Sequence, residues 1–135
     1  MSQTDQLWTI LLIDDDPYLV SAFSRSLRRQ PYYILSAYSA EDAMQIVRTH
    51  KVDLVVSDLN MPGMSGTQFL AWLEINYPDV VSIVLSGDAG IRVGQREING
   101  RRVFRLLSKP CELADLSDAI REGLEKRSIL KTDVC

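Results

Sequence analysis

The feature that most constrains the fold is a fivefold alternation along the chain. Short, nearly unbroken apolar runs occur at Leu7–Ile13, Tyr32–Ala37, Val52–Ser57, Val80–Leu85 and Val103–Leu107. A strand with one wet face alternates apolar and polar residues, whereas a continuous run of this length fits a strand covered on both faces. The spacers carry helix signals. Asp16 before Pro17 offers an N-cap acceptor and a first-turn residue that needs no N–H. Leu19, Val20, Phe23 and Leu27 then recur at helical spacing, with Arg28 and Arg29 near the negative helix end. Ser39-Ala40-Glu41-Asp42 has the form of a capping box, ahead of a stripe of Ala40, Met44 and Val47. Ser65 can cap a helix that buries Phe69, Leu70 and Leu73 and that Tyr77-Pro78-Asp79 ends. A further helix is expected over Gly90–Asn99, weakened by Gly94, and a last one over about Glu112–Leu130 on Leu113, Leu116, Ile120 and Leu124. Strands separated by single helices imply parallel pairing, right-handed crossovers and helices on both faces. The expected fold is α/β, (βα)5, a doubly wound five-stranded parallel sheet in three layers.

Composition narrows the class. The chain has 135 residues, the size of one ordinary domain. Its 46 % hydrophobic and 24 % charged residues exclude a disordered chain. Lys+Arg is 15 against 18 Asp+Glu, a net charge of −3, so the basic surplus of a nucleic-acid binder is missing. No apolar run approaches the ~20 residues that span a bilayer, and the polar Met1–Leu7 does not read as a signal peptide. Cys111 and Cys135 are too few for a disulfide framework and fit a reducing, cytoplasmic setting. One domain is therefore expected over 1–135, with its core at about 7–127.

Ligands of open parallel sheets bind at the carboxyl ends of the strands, and polar residues gather there. The first strand ends at Asp14-Asp15, the third at Asp58, the fourth at Ser86-Gly87 and the fifth at Lys109. Three carboxylates brought together repel, so a cation, a lysine or a raised pKa must compensate them. All-oxygen ligands suit a hard ion such as Mg²⁺. Lys109 adds a compact positive charge, Ser86 a hydroxyl, and Gly87 leaves its backbone open to a ligand. Phosphoryl transfer to a carboxylate needs this inventory: an Asp nucleophile, positive charge on the phosphoryl oxygens, and donors for the rest.

At these residues the chain resembles the receiver domain of two-component response regulators. The resemblance rests on Ile13-Asp14-Asp15-Asp16-Pro17, on Asp58-Leu59-Asn60-Met61-Pro62-Gly63-Met64-Ser65-Gly66, on Leu85-Ser86-Gly87 and on Ser108-Lys109-Pro110. The second segment matches D-x-x-M-P-x-x-x-G at every fixed place, and the whole covers about residues 7–127. It implies a flavodoxin-like receiver fold with Asp58 as phosphoacceptor. It implies Asp15, Asp58 and the Asn60 carbonyl as direct Mg²⁺ ligands, with Asp14 acting through metal-bound water. Ser86 and Lys109 would hold the phosphoryl group, and Lys109–Pro110 would be cis. A sensor histidine kinase or phosphotransfer protein would be the donor, and the domain would catalyse only its own phosphotransfer and dephosphorylation. The stretch Asn99–Pro110 is most similar to receivers that precede HD-type phosphodiesterases, and the last helix would suit a connector to an output domain beyond these residues.

The chain departs from the family at Leu106, where many receivers carry a Tyr or Phe that turns inward on activation; the nearest aromatic is Phe104. Arg92, Arg96, Arg101, Arg102 and Arg105 read either as a solvated face or as half of a homodimer surface around the Gly90–Asn99 helix, the fifth strand and the last helix. The only histidine, His50, reads as a surface residue at a helix end, and Trp8 and Trp72 as packing residues. Two other functions compete with the switch. An aspartyl phosphohydrolase of the haloacid-dehalogenase type would want Asp-x-Asp at the first strand, where this chain has adjacent Asp14 and Asp15. A pseudo-receiver that never takes phosphate would not need the acidic pair, Asp58 and Lys109 together.

Overall fold

The structure is a computed structural model that describes residues 8–58, 66–86, 103–109 and 112–133. Five strands form one sheet: β1 (Trp8–Ile13), β2 (Tyr32–Ala37), β3 (Leu54–Asp58), β4 (Val81–Ser86) and β5 (Val103–Ser108). Their order is β2-β1-β3-β4-β5 and every pairing is parallel. Four helices lie among the described residues: α1 (Pro17–Leu27), α2 (Ala40–Thr49), α3 (Gly66–Asn76) and α4 (Leu113–Asp133). The expected Gly90–Asn99 helix lies outside the described residues.

Side chains of a strand alternate between faces, and the core splits accordingly. Ile10 and Leu12 of β1 join Leu54, Val56, Ile83 and Leu85 under α1 and α4, which contribute Val20, Phe23, Leu27, Leu116, Ile120 and Leu124. Leu11 and Ile13 join Val55 on the other face, under Ala40, Ala43 and Val47 of α2 and Phe69 and Leu73 of α3. The three layers of the sequence reading are therefore present. The central strands β3 and β4 are buried along their whole length, while the edge strands β2 and β5 are only partly buried. Strand ends differ from expectation by one or two residues: Val52 and Asp53 precede β3, and Asp58 and Ser86 are the last residues of their ladders rather than the first of the loops.

The helix starts follow the capping signals. The Asp16 carboxylate accepts from the Tyr18 N–H at 3.0 Å, with Pro17 in the first turn. The Ser39 hydroxyl accepts from the Asp42 N–H at 3.1 Å. Trp72 packs as expected, stacked on Phe69 at 6.0 Å between centroids and covered by the Arg48 guanidinium at 5.3 Å.

One cluster at the base of the sheet was not anticipated. Asp53, just before β3, accepts from the Thr9 N–H through Oδ2 (3.0 Å) and from Arg127 Nε through Oδ1 (3.2 Å). Arg127 Nη1 also donates to the Asp79 carbonyl at 2.8 Å. Both side chains are about nine-tenths buried, so the pair ties α4 to the amino ends of β1, β3 and β4 in a low-dielectric setting. The sequence signal is the stripe of α4 itself, which runs Leu116, Ile120 and Leu124 and reaches Arg127 three residues on, still on the same helix face. Four residues earlier, Gly123 sits against the sheet so closely that a Cβ would lie 2.7 Å from Leu54 Cδ1 and 3.1 Å from Val81 Cγ1.

Breaking a buried ion pair leaves an uncompensated charge. Arg127→Met should lower unfolding free energy in urea by about 3–5 kcal/mol, and adding Asp53→Leu should recover part of that loss. Gly123→Ala should also destabilise, by about 1–2 kcal/mol, because overpacking against fully buried Leu54 outweighs the gain in helix propensity; a higher urea midpoint would contradict this.

Candidate functional site

The sheet order places the carboxyl ends of β1, β3, β4 and β5 side by side. Register makes this concrete. Ile13 pairs with Ser57, so Asp14 stands level with Asp58; Asp58 pairs with Leu85, and Ser86 pairs with Ser108. The switch point, where strand order reverses direction, falls between β1 and β2 on one side and β3 on the other. Asp14, Asp15 and Asp58 flank it.

Asp14 is buried at the end of β1. Its backbone N–H donates to the Ala37 carbonyl at 3.2 Å, and its Oδ1 accepts from the Asp16 N–H at 2.9 Å. This Asx-type turn fixes the carboxylate and feeds the chain into α1. Asp15 is exposed beside it. Asp58 is the buried last residue of β3. Its carbonyl accepts from the hydroxyl of Ser57 at 3.1 Å. One carboxylate oxygen from each of Asp14, Asp15 and Asp58 can be chosen so that all lie within 4.8 Å of one another. The diagonal of an octahedron with Mg–O bonds of 2.1 Å is about 4.2 Å, so the three carboxylates stand close enough together to supply ligands to one small hard ion.

Lys109 enters from the far side. Its backbone N–H donates to the Ser86 carbonyl at 2.7 Å, which fixes the start of its side chain against β4. The stem then crosses β4 toward β3 and β1. Its ammonium donates to Asp14 Oδ2 at 2.8 Å and lies 3.3 Å from Asp58 Oδ2. Burial alone would push the Lys109 pKa down, but the hydrogen bonds and charges of Asp14 and Asp58 together outweigh it and leave the pKa raised. The lysine is thus held protonated between two buried carboxylates. Ser86, fully buried, ends β4 beside this group.

The structure therefore brings together Asp14, Asp15, Asp58, Ser86 and Lys109 from four strand ends. Asn60, Gly87 and the Lys109–Pro110 bond fall on residues outside those described. Leu106 packs with Val103 against Leu70 and Val84. Phe104 lies on the α1–α4 side, flanked by Arg105 and Lys126 at 5.0 and 5.5 Å from its centroid. Of the basic cluster, Arg105 is described, and it pairs with Glu122 of α4. His50 is exposed and caps the end of α2.

Comparison with known proteins agrees with this fold. The response regulator receiver domain model matches residues 10–121. Among curated relatives, the transcriptional regulatory protein GlrR of Escherichia coli (strain K12) is 32 % identical over 117 residues, 87 % of this chain but 26 % of that protein. The chain thus spans about a quarter of that relative's length. Among solved structures, the signal receiver domain of an HD domain-containing protein from Pseudomonas fluorescens Pf-5 is 32 % identical, with a TM-score of 0.86 over 91 % of this chain and 98 % of that one. An adenylate cyclase structure from Rhodopirellula baltica is 26 % identical, with a TM-score of 0.90 over 95 % of both chains. Phosphorylation and Mg²⁺ binding are typical of the matched family. The chain belongs to the response regulator receiver domain family of two-component systems.

Proposed function

We propose that Asp58 accepts a phosphoryl group from a phosphohistidine of a sensor kinase or phosphotransfer protein, in a Mg²⁺-dependent reaction. The observation that carries this reading is the Lys109 ammonium bridging Asp14 (2.8 Å) and Asp58 (3.3 Å), with Asp15 alongside. A carboxylate oxygen of Asp58 attacks phosphorus as the P–N bond to the donor imidazole breaks, and the departing imidazole takes up a proton. Asp14, Asp15, Asp58 and the Asn60 carbonyl would hold the Mg²⁺, which when bound supplies positive charge against the phosphoryl oxygens. Lys109, pre-set at the entrance by Ser86, shifts its donation from the carboxylates to the new phosphoryl oxygens. The Ser86 hydroxyl and the Gly87 N–H supply further donors. The chain catalyses its own phosphotransfer and dephosphorylation and turns over no outside substrate.

The acyl phosphate adds charge and acceptors at the end of β4, so the response must travel through Ser86 and β5. With Leu106 in place of an aromatic, the β5 readout is aliphatic repacking against Leu70 and Val84. Phe104, with Arg105 and Lys126, belongs to the β5–α4 face that we assign to homodimer contact or to an output domain following α4. A kinase donor calls for a cytoplasmic setting, and that is the location we assign. Among the described residues no helix is long and apolar enough to cross a membrane.

Incubation with acetyl phosphate and Mg²⁺, followed by intact-mass measurement, tests the acceptor. The wild type should gain one phosphoryl group, about 80 Da, and Asp58→Asn should gain none. An adduct of equal yield on Asp58→Asn would place the acceptor elsewhere, and catalytic hydrolysis of a generic phosphomonoester would favour a phosphohydrolase.

A further inference from the structure

The base of the sheet, opposite the aspartate cluster, holds a cleft of about 320 Å³ between the ends of α2 and α3. Its volume lies at the lower end of the range of about 300–1,000 Å³ typical of small-molecule sites. Val47, Val80 and Tyr77 give it an apolar wall, and His50, Lys51 and Arg127 give it basic and donor groups.

Arg127 makes this cleft more than a surface groove. Its side chain is only 10 % exposed, yet it lines the cavity. Nε is used by Asp53 and Nη1 by the Asp79 carbonyl, while no hydrogen bond is made by Nη2 among the described residues. A guanidinium that lines a cavity, is held by two partners and has N–H groups beyond those two bonds is a pre-organised donor for a carboxylate oxygen. Lys51 stands exposed at the rim and supplies a second positive charge.

We infer that this cleft binds a small organic monoanion, a carboxylate on a flat apolar body, with the carboxylate between Arg127 Nη2 and Lys51 and the body on Tyr77, Val47 and Val80. The charge balance favours one negative charge over two. Lys51 and Arg127 stand against Asp53 and Asp79, so the formal charges of the cleft cancel, and a dianion would leave two negative charges in excess where a monoanion leaves one. Because Arg127 also ties α4 to the sheet, occupancy bears on the position of α4. The inference does not depend on the role of Asp58.

Titration of ¹⁵N-labelled full chain with benzoate tests it, with benzyl alcohol and inorganic phosphate as parallel probes. Benzoate should give saturable shifts at the amides of Val47, Lys51, Tyr77 and Val80 and at the Arg127 Nε–H. Exposed Lys51→Gln, which leaves the fold intact, should weaken the apparent affinity about tenfold, and Asp58→Asn should leave it unchanged. Shifts that fail to saturate overturn the site. Equal affinity for benzyl alcohol, tighter binding of phosphate, or indifference to Lys51→Gln overturns the carboxylate assignment.

Discussion

One lysine neutralises a crowded carboxylate edge, and the site depends on that interaction. Asp14 and Asp58 end adjacent parallel strands at the same level, both about 95 % buried, so parallel pairing alone forces two negative charges together. Left uncompensated, the two charges would drive these strand ends apart. Lys109 prevents this by reaching across β4, and its own raised pKa is the other side of the same attraction. An ion pair of this kind is poised rather than permanent. Any incoming group that brings its own positive charge to the carboxylates, or its own negative charge to the lysine, can replace half of it.

The two ends of the sheet use buried charge in opposite ways. At the carboxyl end, Asp15 is exposed and the lysine is part-exposed, so charges can be exchanged with incoming groups. At the base, Asp53 and Arg127 are about nine-tenths buried, and each is also held by a backbone partner, the Thr9 N–H and the Asp79 carbonyl. The first arrangement suits chemistry. The second suits a fixed joint, and it sits where α4 meets the amino ends of β1, β3 and β4. The close seat of Gly123 on Leu54 and Val81 serves the same joint.

Much of this was legible in the sequence because the signals are local. Continuous apolar runs mark strands covered on both faces, and Asp16-Pro17 and Ser39 mark helix starts through hydrogen bonds to residues two or three positions away. The site was legible because a parallel sheet converts sequence position into spatial position: whatever follows each strand arrives at one edge. The Asp53–Arg127 pair was not, because it joins residues 74 apart and neither has a distinctive neighbour. Only the continuation of the α4 stripe onto an arginine hinted at it. That Lys109 contacts Asp14 more closely than Asp58 was also beyond the sequence, since it depends on how Ser86 anchors the lysine backbone.

On this reading Lys109 and a divalent cation compensate the same carboxylates. Calorimetric titration with Mg²⁺ at low ionic strength, on the wild type and on Lys109→Met, tests it most directly. The wild type should bind the ion and Lys109→Met should bind it several-fold more tightly, because a competing positive charge has been removed. Weaker or equal binding by Lys109→Met, or no binding by the wild type, would contradict it.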